Sequence, residues 1–174
     1  MKKNIFVFGL ILGAILCVNA IIMMNRLVSD PNFKSNDVLG YAAMVVVFSL
    51  VYFGIRNYRN KQLDGFISFG KAFKTGALIA LVASTVYVVV GLSYYHLFVP
   101  EFIDKYTQYV LRHTSEANLA AKTREMEEFK EMYKNPAFAI LISYSEVLPI
   151  GLVVALISAF ILKRKSKSSK TVAA

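Results

Sequence analysis

The stretch RNYRNKQLDGFISFGKAFKTG, residues 56–76, is a polar break between two long apolar runs in the first hundred residues. Asp64 is its one acidic residue, and five positions are basic. The basic residues are Arg56, Arg59, Lys61, Lys71 and Lys74. Short loops rich in Lys and Arg stay on the cytoplasmic side of a membrane. We therefore expect a cytoplasmic turn between two membrane-spanning helices, and its charge orients the rest of the chain.

The composition supports a membrane protein. Of the 174 residues, 56% are hydrophobic and 18% are charged, against roughly 45–50% and about 25% in soluble domains. The net charge of +9 could indicate nucleic-acid binding. However, the basic residues cluster at the ends of apolar runs, as membrane topology requires, and not along one polar face. We therefore expect the lipid bilayer, and no nucleic acid, as a partner.

Four apolar runs are long enough to cross a bilayer, which takes about 20 helical residues. They predict spans at about 4–24, 38–55, 75–99 and 137–162. The first run could instead be a signal peptide, since Lys2 and Lys3 precede it and Val18-Asn19-Ala20 is a weak cleavage site. A signal peptide has an apolar core of about 7–15 residues. The longer run here favours an uncleaved helix.

Residues 100–136 form the one substantial polar segment between spans. Its apolar residues recur at helical spacing, which predicts two amphipathic helices with a break near Thr114 and Ser115. Asn135 and Pro136 are typical of a helix start. Residues 163–174 are a basic tail. The predicted fold is all-α: a single membrane domain, 1–174, forming a four-transmembrane-helix bundle with an extracytoplasmic helical excursion between helices 3 and 4.

The orientation follows from the short loops. The central turn carries five basic residues, and the link between the first two spans carries two, Arg26 and Lys34. The more basic loop is expected in the cytoplasm. Because the number of spans is even, both the N- and C-termini are then cytoplasmic.

Glu146 is the most informative single residue, because it lies roughly 14 Å along the fourth span at 1.5 Å per residue. A charged, unpaired carboxylate at that depth is costly, and no Lys or Arg lies at matching depth. One interpretation is a proton or ion site; the other, which we favour, is a neutral residue hydrogen-bonded between helices. The polar side chains that could join it are Ser143, Ser145, Tyr87, Ser84 and Thr85, with Ser49, Cys17 and Asn19 as further candidates.

The central turn has a second feature. At helical spacing, Phe66, Phe69 and Phe73 share one face, which predicts an interfacial helix start with its phenylalanines in the acyl boundary. The five basic residues of the turn are candidate contacts for anionic lipid headgroups. The turn is not a nucleotide-binding P-loop, because Ala72 replaces the required Ser or Thr.

In the first span, Gly9 and Gly13 allow close helix approach, and we favour packing within one bundle over a dimer seam.

No catalytic or metal-binding pattern is present. His96 and His113 are the only histidines and lack Cys or acidic partners at ligand spacing. No Ser/His/Asp order or catalytic carboxylate pair occurs. We therefore expect no enzyme activity, no metal and no cofactor.

Two motifs carry a resemblance. Gly-Ile-Arg-x-Tyr-Arg spans residues 54–59, and Gly-x-Ile-Ser-Phe-Gly-Lys-Ala-Phe spans residues 65–73, before a third span that closes in Pro-x-Phe at 100–102. In this the chain resembles a bacterial family of small integral membrane proteins catalogued as domain of unknown function 4199. The resemblance implies four helices in a bacterial inner membrane. It implies no activity and no catalytic residue.

Two functions remain open. The favoured one is a non-enzymatic scaffold or accessory subunit, which meets a membrane protein partner or forms a homo-oligomer. The alternative is a small channel or transporter with Glu146 in its path. The two differ in whether Glu146 faces a hydrated cavity or packed polar side chains.

Overall fold

A computed structural model describes residues 1–30, 34 and 37–164, and it is all-helical. The helices are α1 (Lys2–Ser29), α2 (Asp37–Phe48), α3 (Leu50–Gln62), α4 (Phe69–Phe98), α5 (Phe102–Arg112), α6 (Glu116–Tyr133) and α7 (Pro136–Leu162). Within these residues the only β-type pairing is one isolated bridge, between Ile67 and Arg164. The all-α prediction is confirmed. Of the predicted basic tail, residues 165–174 lie outside the described residues.

Four helical stretches are long and apolar enough to cross a membrane: Lys2–Ser29, Val38–Gln62, Phe69–Phe98 and Pro136–Leu162. The second stretch contains α2 and α3, which meet at a turn at Ser49. There the Ser49 hydroxyl donates to the Val46 carbonyl at 2.6 Å, a contact that competes with the helical ladder. The fourth stretch begins as predicted, because the Asn135 side chain accepts from the Ala137 amide at 3.0 Å and Pro136 follows the cap.

The turn between α3 and α4 is shorter than residues 56–76. Helix α3 continues to Gln62, and the chain then reverses through Asp64 and Gly65, which have φ values of 49° and 83°. Ser68 caps α4 by accepting a hydrogen bond from the Lys71 amide at 3.4 Å.

The prediction that three phenylalanines share one helix face is wrong for Phe66. This residue precedes α4, because the Ser68 cap starts the helix only at Phe69. Phe69 and Phe73 do stack, with ring centroids 6.2 Å apart, and Phe69 also lies 4.6 Å from the ring of Phe160. Both rings pack against the core.

Helix α4 packs against α1 and α7, and small residues bring these helices close. A Cβ added at Gly9 would lie 2.6 Å from the Val82 Cβ, and one at Gly13 would lie 2.6 Å from the Val86 Cβ. This pair of glycines therefore serves the contact between α1 and α4, as the sequence analysis favoured. On the other side of α4, Gly151 of α7 receives the ring of Phe48.

One end of the bundle gathers the basic residues. The Met1 amino group donates to the Gln62 side chain, and the Arg59 guanidinium donates to the Leu162 carbonyl at 3.2 Å. The backbones of Ile67 and Arg164 pair there as well. We call this the basic end, defined by Lys2, Lys3, Arg56, Arg59, Lys61, Lys71, Lys74, Lys163 and Arg164.

Helices α5 and α6 form a hairpin at the opposite end, with its break at residues 113–115, near the predicted position. Asp104 and Lys130 form an ion pair between the two helices. Aromatic rings complete the contact: Tyr106 with Phe129 at 6.3 Å, and Phe129 with Tyr133 at 5.4 Å. Helix α5 contacts α1 and α6 contacts α7, so the hairpin folds back onto the bundle.

Candidate functional site

A cavity of about 660 Å³ lies between the hairpin and the bundle. Its walls come from α1, α2, α4 and α7, and α5 and α6 close it at the hairpin end. Seven aromatic residues of the described part of the chain line it: Tyr41, Tyr87, Phe102, Tyr106, Tyr109, Phe129 and Tyr133. This volume falls in the range of about 300–1,000 Å³ that is usual for small-molecule sites.

Glycine positions explain why the cavity is at this end. Near the basic end, Val82 and Val86 of α4 occupy the space beside Gly9 and Gly13 of α1, so the two helices are in contact. Toward the hairpin, Gly40 and Gly91 line the cavity, and a Cβ added at either would meet nothing within 4 Å. Farther along α1, Met23 and Met24 line the cavity.

Glu146 projects into this cavity. It is exposed there, and it makes no hydrogen bond or ion pair with any residue that the structure describes. Among the described residues that line the cavity, it is the only charged one. Its position is about 15 Å along α7 from Pro136, at 1.5 Å per residue. The carboxylate is therefore deep within an apolar helix and faces open space.

Part of the polar set named from the sequence gathers around Glu146. Tyr87, Ser143, Ser145 and Asn19 line the same cavity. The two serine hydroxyls are held by their own helix: Ser143 donates to the Ala139 carbonyl at 2.8 Å and Ser145 to the Ile142 carbonyl at 2.7 Å. Pro149 lacks an N–H, so the Ser145 carbonyl loses its usual helical donor.

The other named partners lie elsewhere. Ser84 is fully buried, and its hydroxyl has no hydrogen-bond partner among the described residues. Thr85 donates to the Leu81 carbonyl and accepts from the Tyr144 hydroxyl, both at 2.8 Å. The Ser49 hydroxyl bonds within α2, and the Cys17 thiol lies 3.7 Å from the Val86 carbonyl.

Tyr133 of α6 lines the cavity together with Glu146. Burial raises the pKa of the Tyr133 phenol, and the negative charge of Glu146 raises it further, whereas a side-chain hydrogen bond with Ser143 lowers it. The sequence predicts α5 and α6 as amphipathic helices, but not as walls of a cavity. The available signal was the aromatic content of their apolar faces, which include Phe102, Tyr106 and Tyr109 in α5 and Phe129 and Tyr133 in α6.

The basic end is a separate candidate surface. The Arg59 guanidinium donates one hydrogen bond to the Leu162 carbonyl and another, at 2.9 Å, to the side-chain oxygen of Asn60. The other four named residues are exposed and form no ion pair with a described residue; they are Arg56, Lys61, Lys71 and Lys74. Four cations can therefore meet a ligand at this end, and the fifth has a structural contact.

The histidines stay within their own helices. A ring nitrogen of His96 lies 2.8 Å from the Leu92 carbonyl, and one of His113 lies 2.9 Å from the Tyr109 carbonyl. Among residues 1–30, 34 and 37–164, no three His, Cys, Asp or Glu side chains come together as metal ligands would.

Comparison with known proteins gives one result. No curated protein matches the chain, and no solved structure matches it. A family model described as "Protein of unknown function (DUF4199)" matches residues 7–164, which include most of the first apolar stretch, the other three in full, the hairpin and the residues that line the cavity. The chain therefore belongs to this family of proteins of unknown function, DUF4199.

Proposed function

We propose that this protein crosses the bacterial inner membrane four times, with both termini in the cytoplasm and the α5–α6 hairpin outside. The charge distribution supports this. The basic end has nine Lys and Arg residues, and Asp64 is the one acidic residue of the nearby α3–α4 turn. Helices α5 and α6, in contrast, carry charges of both signs. Clustered Lys and Arg are retained on the cytoplasmic side.

We propose that the protein binds a small solute in the cavity beside Glu146, as a small transporter does. One observation carries this proposal: the carboxylate lies deep in a spanning helix and faces an open cavity, without a partner among the described residues. An ionisable residue inside the membrane is usually part of a substrate or ion pathway. The polar contacts expected of a residue that only joins helices are not made by Glu146. The proposal assigns the chain no catalytic residue, metal or cofactor.

Cysteine accessibility tests the cavity directly. Cys17 is the only cysteine, so Cys17→Ala gives a cysteine-free background. In it, Ser145→Cys should react with a charged, membrane-impermeant methanethiosulfonate applied to spheroplasts, because a thiol needs water to ionise. Two controls lie on the same helix. Ser158→Cys is buried at 4% exposure, and Val153→Cys, at 55%, faces outward where lipid would lie.

Reaction at position 145 alone supports a hydrated cavity, and adding Gly91→Phe should slow it by filling the space. If Ser145→Cys reacts no faster than the two controls, both from outside and in inverted vesicles, the proposal is wrong. Reaction only in inverted vesicles would instead contradict the orientation.

A scaffold or accessory role is the second candidate, and helix α6 favours it. Met126 is its only fully buried residue, and its exposed face carries charges of both signs. Such a surface suits a membrane protein partner or a second copy of the chain. Photo-crosslinking from exposed α6 positions such as Glu128, in native membranes, should then give a discrete adduct. Only lipid adducts would contradict this role.

The basic end is proposed to contact anionic lipid headgroups. Its exposed, unpaired cations sit where the cytoplasmic leaflet would be in the proposed orientation, and each such residue contributes about 1 kcal/mol near an anionic surface. Native mass spectrometry after reconstitution in phosphatidylglycerol should retain bound lipid. The fourfold variant Arg56→Gln, Lys61→Gln, Lys71→Gln, Lys74→Gln should retain less.

A further inference from the structure

We infer that the solute is a lipophilic organic monocation, an ammonium-type ion held between the Glu146 carboxylate and the tyrosine rings of the cavity. The inference rests on the proposed function and names the chemical class of the ligand.

Charge is the first argument. Of the lining residues in the described part of the chain, Glu146 is the only charged one, and none is Lys, Arg or His. A carboxylate at this depth is costly while it lacks a counter-ion. A bound cation provides that counter-ion. The low dielectric of the site then makes the attraction stronger than it would be in water.

The aromatic wall is the second argument. Tyr87 approaches from α4, Tyr41 from α2 and Tyr133 from α6, so aromatic residues line the cavity on several sides of the carboxylate's helix. The face of an aromatic ring attracts a cation, and cages of such rings are a usual means of recognising quaternary ammonium groups. A neutral solute would gain apolar burial from this wall but not the attraction of a cation to the ring faces.

Size and the apolar lining are the third argument. A cavity of about 660 Å³ is far larger than a bare ion, and drug-sized molecules occupy such volumes. Met23, Met24 and Met44 line it with flexible apolar side chains, which adapt to varied shapes. An apolar body therefore fits beside the charged group. No described lining residue is basic, which disfavours a phosphate-bearing zwitterion such as a phospholipid headgroup.

The test uses the full chain in phosphatidylcholine nanodiscs, with ethidium as a fluorescent cation. Ethidium should bind saturably. Benzyltrimethylammonium should displace it at least about tenfold more effectively than its uncharged carbon isostere, neopentylbenzene. Glu146→Gln should weaken ethidium binding by about tenfold or more, the scale of one lost close charge pair. Glu128→Gln, an exposed carboxylate of α6 that does not line the cavity, is the matched control and should bind as the wild type does.

Gly91→Phe separates the two proposals. A Cβ there meets nothing within 4 Å, so the variant should fold, and far-UV circular dichroism checks this. If neopentylbenzene binds as well as the cation and Glu146→Gln has no effect, the inference is overturned; loss of binding in Gly91→Phe would then leave the cavity proposal standing. If ethidium binding survives Gly91→Phe unchanged, the cavity is not the site and both proposals fail. Absence of any ethidium binding overturns the inference.

Discussion

At the scale of single residues, the side chain of Glu146 is exposed although it lies deep within an apolar helix. Its carboxylate makes no hydrogen bond or ion pair with a described residue, so replacing it with an amide removes no contact within the bundle. Burying a charge costs more than burying an amide. Replacing a residue that joins helices should therefore lower the free energy of unfolding, whereas replacing a residue that only binds a ligand should not.

Glu146→Gln is expected to leave the free energy of unfolding unchanged within about 1 kcal/mol, or to raise it. Reversible unfolding in mixed dodecyl maltoside and SDS micelles, followed by far-UV circular dichroism, measures this. A loss of 2 kcal/mol or more would mean that the side chain has structural partners. Conversely, Glu146→Gln without effect on stability or on any binding would remove the reason to assign it a function.

Asn4, in contrast to Glu146, has hydrogen-bond partners within the bundle. It is only 6% exposed, and it donates to the Gly54 carbonyl at 2.9 Å while accepting from Asn57 at 2.6 Å. It thus links α1 to α3 near the basic end. The sequence analysis included Asn4 only as the first residue of a span, because the partners lie about fifty residues away.

Asn4→Leu should lower the free energy of unfolding by about 1 kcal/mol, the usual value of a hydrogen bond between membrane helices. The reason is that the Asn57 amide loses its acceptor. The same micelle titration measures it. Asn118→Ala, an exposed change on α6, serves as the control and should stay within about 0.5 kcal/mol of the wild type. Equal effects of the two changes would show that the Asn4 contact contributes nothing.

At the scale of elements, the contact between α1 and α4 depends on backbone proximity. Gly9→Ala and Gly13→Ala should each cost about 1–3 kcal/mol, as overpacking usually does. In each case the new Cβ would lie 2.6 Å from a valine Cβ that sits next to its own backbone and cannot rotate away. Gly70→Ala is the control, since its Cβ meets nothing within 4 Å. If all three variants unfold alike, the helices are not packed at these glycines.

The hairpin is held to a greater extent by rings than by charge. The Asp104 carboxylate raises the pKa of Lys130 through a hydrogen bond, yet both side chains are about half exposed, at 42% and 54%. Exposed ion pairs contribute little to stability, because water and salt screen them. Phe129, in contrast, contacts Tyr106, Tyr133 and the cavity.

Phe129→Ala should therefore loosen the hairpin more than Lys130→Ala does. Hydrogen–deuterium exchange of the α6 peptides measures this, and exchange should be faster in Phe129→Ala because the helix loses its buried ring contacts. Faster exchange in Lys130→Ala than in Phe129→Ala would show that the ion pair dominates.

At the scale of the whole molecule, the proposed orientation can be checked with reporters. A phosphatase that is active only outside the cytoplasm should be inactive when fused after Lys170 and active when inserted at residues 113–115. The reason is the concentration of Lys and Arg at the basic end, which resists translocation. A reporter after Lys170 that is active only outside would contradict the four-span orientation.

The all-helical fold and the four long apolar stretches follow from the sequence alone, because a run of about 20 apolar residues can satisfy its backbone only by forming a helix in lipid. The division of the second stretch into α2 and α3 at Ser49 was not predicted. The caps at Asn135 and Pro136 are equally local, and so is the hairpin break near Thr114. Such features depend on neighbours within a few positions, and the structure has them where the sequence predicts them. The helix-face prediction was wrong for Phe66 because the turn at Asp64 and Gly65, both with positive φ, and the Ser68 cap place the helix start at Phe69.

The surroundings of Glu146 were decided by the tertiary structure. The depth of Glu146 along its helix can be read from the sequence. The cavity cannot, because it depends on how residues as far apart in the chain as Asn19, Tyr87 and Tyr133 are placed around an unfilled space. Periodicity assigns a residue to a face of its own helix and says nothing of what that face meets. The sequence alone therefore determined that a carboxylate lies within the fourth apolar helix. Only the packing of six helices decided that it faces an aromatic-lined cavity.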